Sequence, residues 1–240
     1  MRRTRQAFDE QLGQLEERLL EMGTFVAEML EKSVRALGEQ DVALAREVIR
    51  ADDVADDMDL EIEQRCMRLL ALQQPMSRDL RTIGTVMKVI ADVERIGDYS
   101  VDIARAAVKL ASTEHFKPLV DIPQMAELAR GMLGRALEAL VNRDLELVYR
   151  VVEEDDAVDK MWYRLLQELE DIMQQRPEVV PQATVLLLVA RYLERVADHT
   201  VNIAERVAYM ETGRLETLAL SHGSDDQSAA RAAASAPPEN

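Results

Sequence analysis

The chain has 240 residues, 48% of them hydrophobic but only 4% aromatic, with 9 Gly and 7 Pro. A sequence rich in Ala, Leu, Glu, Arg and Met and poor in aromatics and turn formers predicts an all-α fold. Against 29 basic residues stand 45 acidic ones, a net charge of −16. That field repels polyanions, so no nucleic-acid partner is expected, and it attracts cations.

The basic start, from Met1 to Gln6, runs into an amphipathic helix over about residues 5–38 instead of an apolar signal core. Along this helix Leu12, Leu15, Leu19, Met22, Val26, Met29 and Leu37 recur three or four apart. Asp41 is placed to N-cap a second helix over 41–73, which Pro75 breaks, and a third begins at Pro75 or Ser77 and runs to about 111. Cys66, the one cysteine, lies among Met67, Leu69 and Leu70 and reads as a core or boundary residue. With no partner in the chain it forms no internal disulfide, which fits a reducing compartment. Residues 112–123, with Pro118 and Pro123, read as a linker. Three more helices are expected over 123–141, 144–175 and 181–211, and then a Ser/Ala/Gly/Asp tail too polar to order itself. The longest apolar stretch, Val185 to Ala190, is far short of the ~20 residues a membrane span needs. A cytoplasmic protein is expected.

These helices form an internal repeat. Asp52-Asp53-Val54-Ala55-Asp56 corresponds to Asp155-Asp156-Ala157-Val158-Asp159 at an offset of 103, which also relates Asp41 to Asp144. Glu94-Arg95-Ile96-Gly97-Asp98 corresponds to Glu194-Arg195-Val196-Ala197-Asp198 at an offset of 100, the lost residues falling near the turn with Pro177 and Pro181. The third helix of each copy carries an apolar seam in alternating steps of three and four. It runs Val86, Val89, Val93, Ile96, Ser100, Ile103, Ala107, Leu110 in the first copy and Leu186, Val189, Leu193, Val196, Thr200, Ile203, Val207, Met210 in the second. Such seams and short connections predict two antiparallel three-helix bundles, over 1–112 and 113–212, with residues 213–240 a disordered tail.

Opposite the seam, Glu94, Asp98 and Asp102 fall within about 80° of one another on the helix, and Glu194, Asp198 and Asn202 repeat them. The second helices add Asp52 with Asp56 and Asp155 with Asp159. Like charges at i, i+4 destabilise a helix by about 0.2–0.5 kcal/mol per pair, and a shared cation reverses that sign. Acids opposite a seam are also what any solvated helix face shows. The repetition in register on two helices of each half is what favours cation binding, provided that the two stripes of each half face each other across a groove.

Sharper chemistries are absent from the sequence. There is no Glu-x-x-His pattern, no phosphate-binding Gly-rich loop and no nucleophile elbow, and none of His115, His199 and His222 lies three or four residues from another. His199, beside Asp198, reads as a surface or boundary side chain, or as one near a metal site. Trp162 and Tyr163 read as packing residues at the bundle edge.

The paired Glu/Asp-x-x-x-Asp stripes, the Asp-Asp-x-x-Asp starts and the run from Leu70 to Arg81 (Leu-Ala-Leu-Gln-Gln-Pro-Met-Ser-Arg-Asp-Leu-Arg) together resemble the PhoU family. So does the run from Glu194 to Ala204 (Glu-Arg-Val-Ala-Asp-His-Thr-Val-Asn-Ile-Ala), and the resemblance covers about residues 5–212. It implies paired three-helix bundles that hold multinuclear metal, iron or zinc foremost and manganese or magnesium also. Carried over, the ligands are Asp52, Asp56, Glu94, Asp98 and Asp102 in one site, and Asp155, Asp159, Glu194 and Asp198 in the other. Asn202 there replaces a carboxylate, so the second site is expected to be the weaker. The resemblance further implies a negative regulator in phosphate homeostasis that links the ATPase subunit of the phosphate-specific ABC transporter to a sensor histidine kinase. Such a protein is a homodimer without catalytic turnover, peripheral to the membrane only through its partners. The alternatives are a carboxylate-bridged metal enzyme, which needs a partly closed pocket over the acids, and a purely structural helical scaffold.

Overall fold

The computed structural model describes residues 2–73 and 75–218. Six α-helices follow in order: α1 (Arg2–Glu39), α2 (Val42–Gln73), α3 (Ser77–Leu110), α4 (Asp121–Asn142), α5 (Leu145–Gln175) and α6 (Val180–Thr212), the last preceded by a 3₁₀ turn at Pro177–Val179. No strand interrupts them among the described residues. α4 starts two residues ahead of Pro123. A proline is tolerated there because backbone N–H groups of a first helical turn have no intrahelical acceptor.

The repeat is visible in the turns. Gln40 and Arg143, offset by 103, both adopt left-handed backbone (φ 56° in each), which ends α1 and α4. The next residue's N–H then reaches back to the helix, Asp41 to the Ala36 carbonyl at 3.0 Å and Asp144 to the Ala139 carbonyl at 3.1 Å. The Asp41 carboxylate accepts from the Ala43 and Leu44 N–H groups, and that of Asp144 accepts from Glu146 and Leu147, so both second helices are N-capped alike.

Every residue of the two predicted seams is buried, Ser100 and Thr200 included. Those two hydroxyls donate one turn back, to the Ile96 carbonyl at 2.9 Å and the Val196 carbonyl at 2.8 Å. α3 packs on α1, α2 and α6, and α6 on α3, α4 and α5, while α1 lies against α4. The buried side chains form one continuous core. The two bundles are therefore fused. α2, α3, α6 and α5 make a four-helix layer, with α1 and α4 covering one side of it. α3 and α6 run antiparallel, as the contacts of Arg81 with the Met210 carbonyl, Thr85 with the Arg206 carbonyl and Tyr99 with Tyr192 require.

The linker is tied down by side chains. Gln40 donates to the carbonyls of Leu110 and Thr113, and Gln182 donates to the Glu114 carbonyl and accepts from the Phe116 N–H. Of the tail expected from residue 213 onward, residues 214–218 lead back toward α6, where the half-buried Leu218 donates its N–H to Glu205. Residues 219–240 lie outside the described residues. No described helix is long and apolar enough to cross a membrane.

Candidate metal centre

α2 and α3 are antiparallel neighbours, and their acids share one groove. Asp52 lies in the field of Asp98, and Glu94 in the fields of Asp56 and Asp59. α5 and α6 repeat this, with Asp159 in reach of Glu194. The condition set by the sequence is met: in each half, acids of the second and third helix face each other.

Burial and these fields together raise the carboxyls of the groove acids. The carboxyl of Asp52 is raised from its ordinary value, first by burial and then by Asp56 and Asp98, with Arg105 opposing. Glu94 is raised by burial and then by Asp98, with lesser repulsion from Asp56 and Asp59. Glu194 goes furthest, up to about 7, because burial strips its hydration and Asp198 adds repulsion that Arg191 only partly offsets. It is 7% exposed, not set out on the surface opposite the seam as the helical wheel predicted. The apolar arc of α6 is wide enough that the inner member of its acid stripe falls at the edge of the core. Asp155 is likewise buried.

Each acid of the third-helix stripes that has an arginine one turn away leans on it. Arg95 pairs with Asp98 at 2.8 Å, Arg105 with Asp102 at 2.9 Å and Arg195 with Asp198 at 3.2 Å, while Arg191 pairs with Glu194. With the carboxylates turned onto arginines, no three acidic, imidazole or thiol groups among the described residues converge tightly enough to grip an ion.

Two of the predicted ligands stand apart. Asn202 donates to Asp92 at 3.4 Å across the α3–α6 seam, and Asp102 lies between that seam and the first groove, in reach of Tyr192 and paired with Arg105, whose charge also reaches Asp52. At that seam Tyr99 stacks on Tyr192 with centroids 5.8 Å apart. The repeat-related positions hold His199 and Asp92, whose side chains hydrogen-bond at 2.8 Å. His199 is thus a contact between the halves, and it also touches the Tyr99 ring.

Asp59 is a groove residue that the sequence reading missed. It sits one turn beyond Asp56 on the same face of α2, and burial, then Glu63 and Asp56, raise its carboxyl. Comparison of the repeats filters it out, because the matching position in α5 is Trp162. Spacing along α2 alone (52, 56, 59) would have found it. Cys66 is fully buried and its thiol is pushed up to about 12 by desolvation, which leaves it a packing residue.

As a donor set, each groove offers hard carboxylate oxygens from two rigid helices, with protonation equilibria displaced by burial first and mutual repulsion second. A multivalent cation relieves that repulsion and suits oxygen donors. The donor types suit such a group, although among the described residues the carboxylates do not converge on one point.

The PhoU domain model matches the chain twice, over residues 19–107 and 122–207. A phosphate-specific transport system accessory protein PhoU homolog of Clostridium acetobutylicum is 39% identical over 212 residues, covering 88% of this chain and 97% of that protein. The protein of the same description from Aquifex aeolicus is 37% identical over 205 residues, covering 85% and 93%. Among solved structures, PhoU from Pseudomonas aeruginosa superposes with a TM-score of 0.83 at 33% identity, covering 86% of this chain and all of that one. The phosphate transport system regulatory protein PhoU from Streptococcus pneumoniae gives 0.83 at 34% identity, covering 88% and 100%.

Proposed function

The chain belongs to the PhoU family, and from that premise we propose that it is a metal-binding accessory regulator of phosphate transport. It restrains phosphate uptake by linking the ATPase subunit of a phosphate-specific ABC transporter to a sensor histidine kinase on the cytoplasmic side of the membrane. The names of its relatives support the role in transport. The observation that carries the metal reading is the pair of facing carboxylate grooves, with Glu94 and Asp52 in one and Glu194 in the other all raised from their ordinary values by burial and by neighbouring acids.

In this reading Asp52, Asp56, Glu94 and Asp98 hold the ions of the first groove, with Asp102 at its rim, and Asp155, Asp159, Glu194 and Asp198 are the matching donors of the second, weaker groove. The bound group is multinuclear iron or zinc, and manganese or magnesium suit the same oxygens. Its chemistry is electrostatic: it fixes the acids of two helices against one another and changes the charge of the open face of the layer. That face is the natural docking surface, and the protein works by binding, in homodimeric form, without turnover.

Two experiments test this. Deletion of the gene should raise phosphate uptake under phosphate-replete conditions and derepress phosphate-responsive expression; unchanged uptake and expression would refute the regulatory role. Protein stripped with a chelator should regain divalent or ferric ions by elemental analysis, and Glu94→Ala with Asp98→Ala should remove the uptake of the first groove. Unchanged stoichiometry in that variant would exclude those ligands.

A further inference from the structure

The two grooves are built on the same helices in the same register, yet one pair of facing positions differs in charge. In the first half Asp59 on α2 faces the turn of α3 that carries Ala91 and Glu94. The offsets of 103 and 100 turn Asp59 into Trp162 and Ala91 into Arg191. A carboxylate and a methyl group are thus exchanged for an indole and a guanidinium. The substituted pair is engaged across the groove, with the guanidinium carbon of Arg191 5.9 Å from the Trp162 ring centroid. Arg191 reaches from there to Oε1 of Glu194, the most deeply buried acid of the third-helix stripes. The other oxygen of Glu194, Oε2, is buried with no hydrogen-bond partner.

We propose that Arg191 is the resident cation of the second groove, held over Trp162, so that multivalent metal enters the first groove, where Asp59 adds a carboxylate, and is kept out of the second. This deepens the metal-binding reading above and rests on it. Asn202 has no part in the asymmetry, since it faces the α3–α6 seam.

The charge inventory agrees. The first groove gathers Asp52, Asp56, Asp59, Glu94 and Asp98 against Arg95 and Arg105, whereas the second gathers Asp155, Asp159, Glu194 and Asp198 against Arg191 and Arg195. Arg95 and Arg195 lie at matching positions and cancel in the comparison. Arg105, which pairs with Asp102 and reaches Asp52 with its charge, has Glu205 as its counterpart in the second half. Arg191 hydrogen-bonds the inner acid of its stripe from a position where the first half has a methyl group, whereas Glu94 has only the 3.6 Å contact of Arg95. A tethered guanidinium competes with a metal for the same oxygen at an effective concentration that no free ion reaches at micromolar levels.

The test uses the full chain, stripped of metal, and Mn(II) as the probe, read by calorimetry and by elemental analysis after desalting. Glu94→Ala with Asp98→Ala closes the first groove, and the variant is expected to hold no Mn(II). Adding Arg191→Met, which keeps the packing on Trp162 and removes the charge, is expected to open the second groove, with affinity gained at least tenfold. Arg191→Lys in the same background keeps a cation there and is expected to gain nothing. Asp59→Asn in the otherwise native chain is expected to weaken Mn(II) binding several-fold. Equal Mn(II) binding with and without Arg191→Met overturns the proposal, and so does Arg191→Lys opening the groove as well as Met does. If the native chain itself takes up no Mn(II) while the Met variant also takes up none, the metal-binding reading falls with it. Native uptake with no gain in the Met variant overturns this inference alone. Thermal melts of all variants identify any that fail to fold, and the Met and Lys forms serve as each other's control.

Discussion

The two halves of the molecule are near copies in everything that builds a helix bundle and unlike in what lines their grooves. Both end their first helix on a left-handed residue, both N-cap the second with an aspartate, and both bury a hydroxyl in the seam of the third. The first half then presents half-exposed carboxylates, while the second buries Glu194 under an arginine of its own. The seam between them diverges too, an aromatic stack at Tyr99 and Tyr192 standing where the other half has Asp92 and His199. Scaffold positions answer to packing and capping, which both halves need equally, so the repeat keeps them. Groove positions answer to what each half binds, and there the copies part.

The largest expected difference is in metal uptake. Glu94→Ala with Asp98→Ala should abolish it, whereas Glu194→Ala with Asp198→Ala should leave the native stoichiometry intact; equal losses by elemental analysis would make the grooves equivalent.

Next in size is the pH dependence of the metal-free protein. Glu194 has a folded-state pKa near 7 against 4.5 unfolded. Between those values the folded chain keeps a proton that the unfolded chain has released, so stability falls as pH rises through this window. The loss approaches, on the order of, 3 kcal/mol above pH 7. Urea melts at pH 5 and pH 8 should show it, and Glu194→Gln should flatten the difference. Glu94→Gln should change the slope less, because Glu94 is partly exposed. A full slope remaining in Glu194→Gln would show that the acid is not desolvated.

Asp41→Ala and Asp144→Ala should each cost about 1 kcal/mol, and by similar amounts, since each removes the same cap. Unequal urea midpoints would mean that one half is held by its neighbours instead of its own turn. The smallest effect is expected from Gly97→Ala, which copies Ala197 of the second half. A Cβ there meets Val26 at 3.7 Å and Ala55 at 4.0 Å, ordinary contact distances, so the gain should be about 0.5–1 kcal/mol.

The sequence carried the scaffold well, because periodicity and capping are local. The seams from Val86 to Leu110 and from Leu186 to Met210, the Asp41 and Asp144 caps and the repeat itself were all legible. Periodicity put Asp52 with Asp56 and Glu94 with Asp98 on single helix faces, and that the two faces share a groove is what the structure adds. What the sequence could not carry is how the halves meet. Helical angles give a face without naming the neighbour, so they group Asn202 with the acids of the second groove although its amide donates across the seam to Asp92. The burial of Glu194 depends on the width of the apolar arc, and the grip of Arg191 on it depends on a tryptophan 32 positions before the glutamate, from 162 to 194. Asp59 escaped for the opposite reason, since a search for matched pairs discards the residue that only one half possesses.

The account turns on carboxylates of α2 and α3 closing together on metal, and anomalous scattering from manganese-loaded crystals tests it most directly. The expected map has its strongest peak between α2 and α3, in contact with Asp52, Asp56, Glu94 and Asp98. A map with no peak in that groove, or with its peaks confined to the groove between α5 and α6, would contradict it.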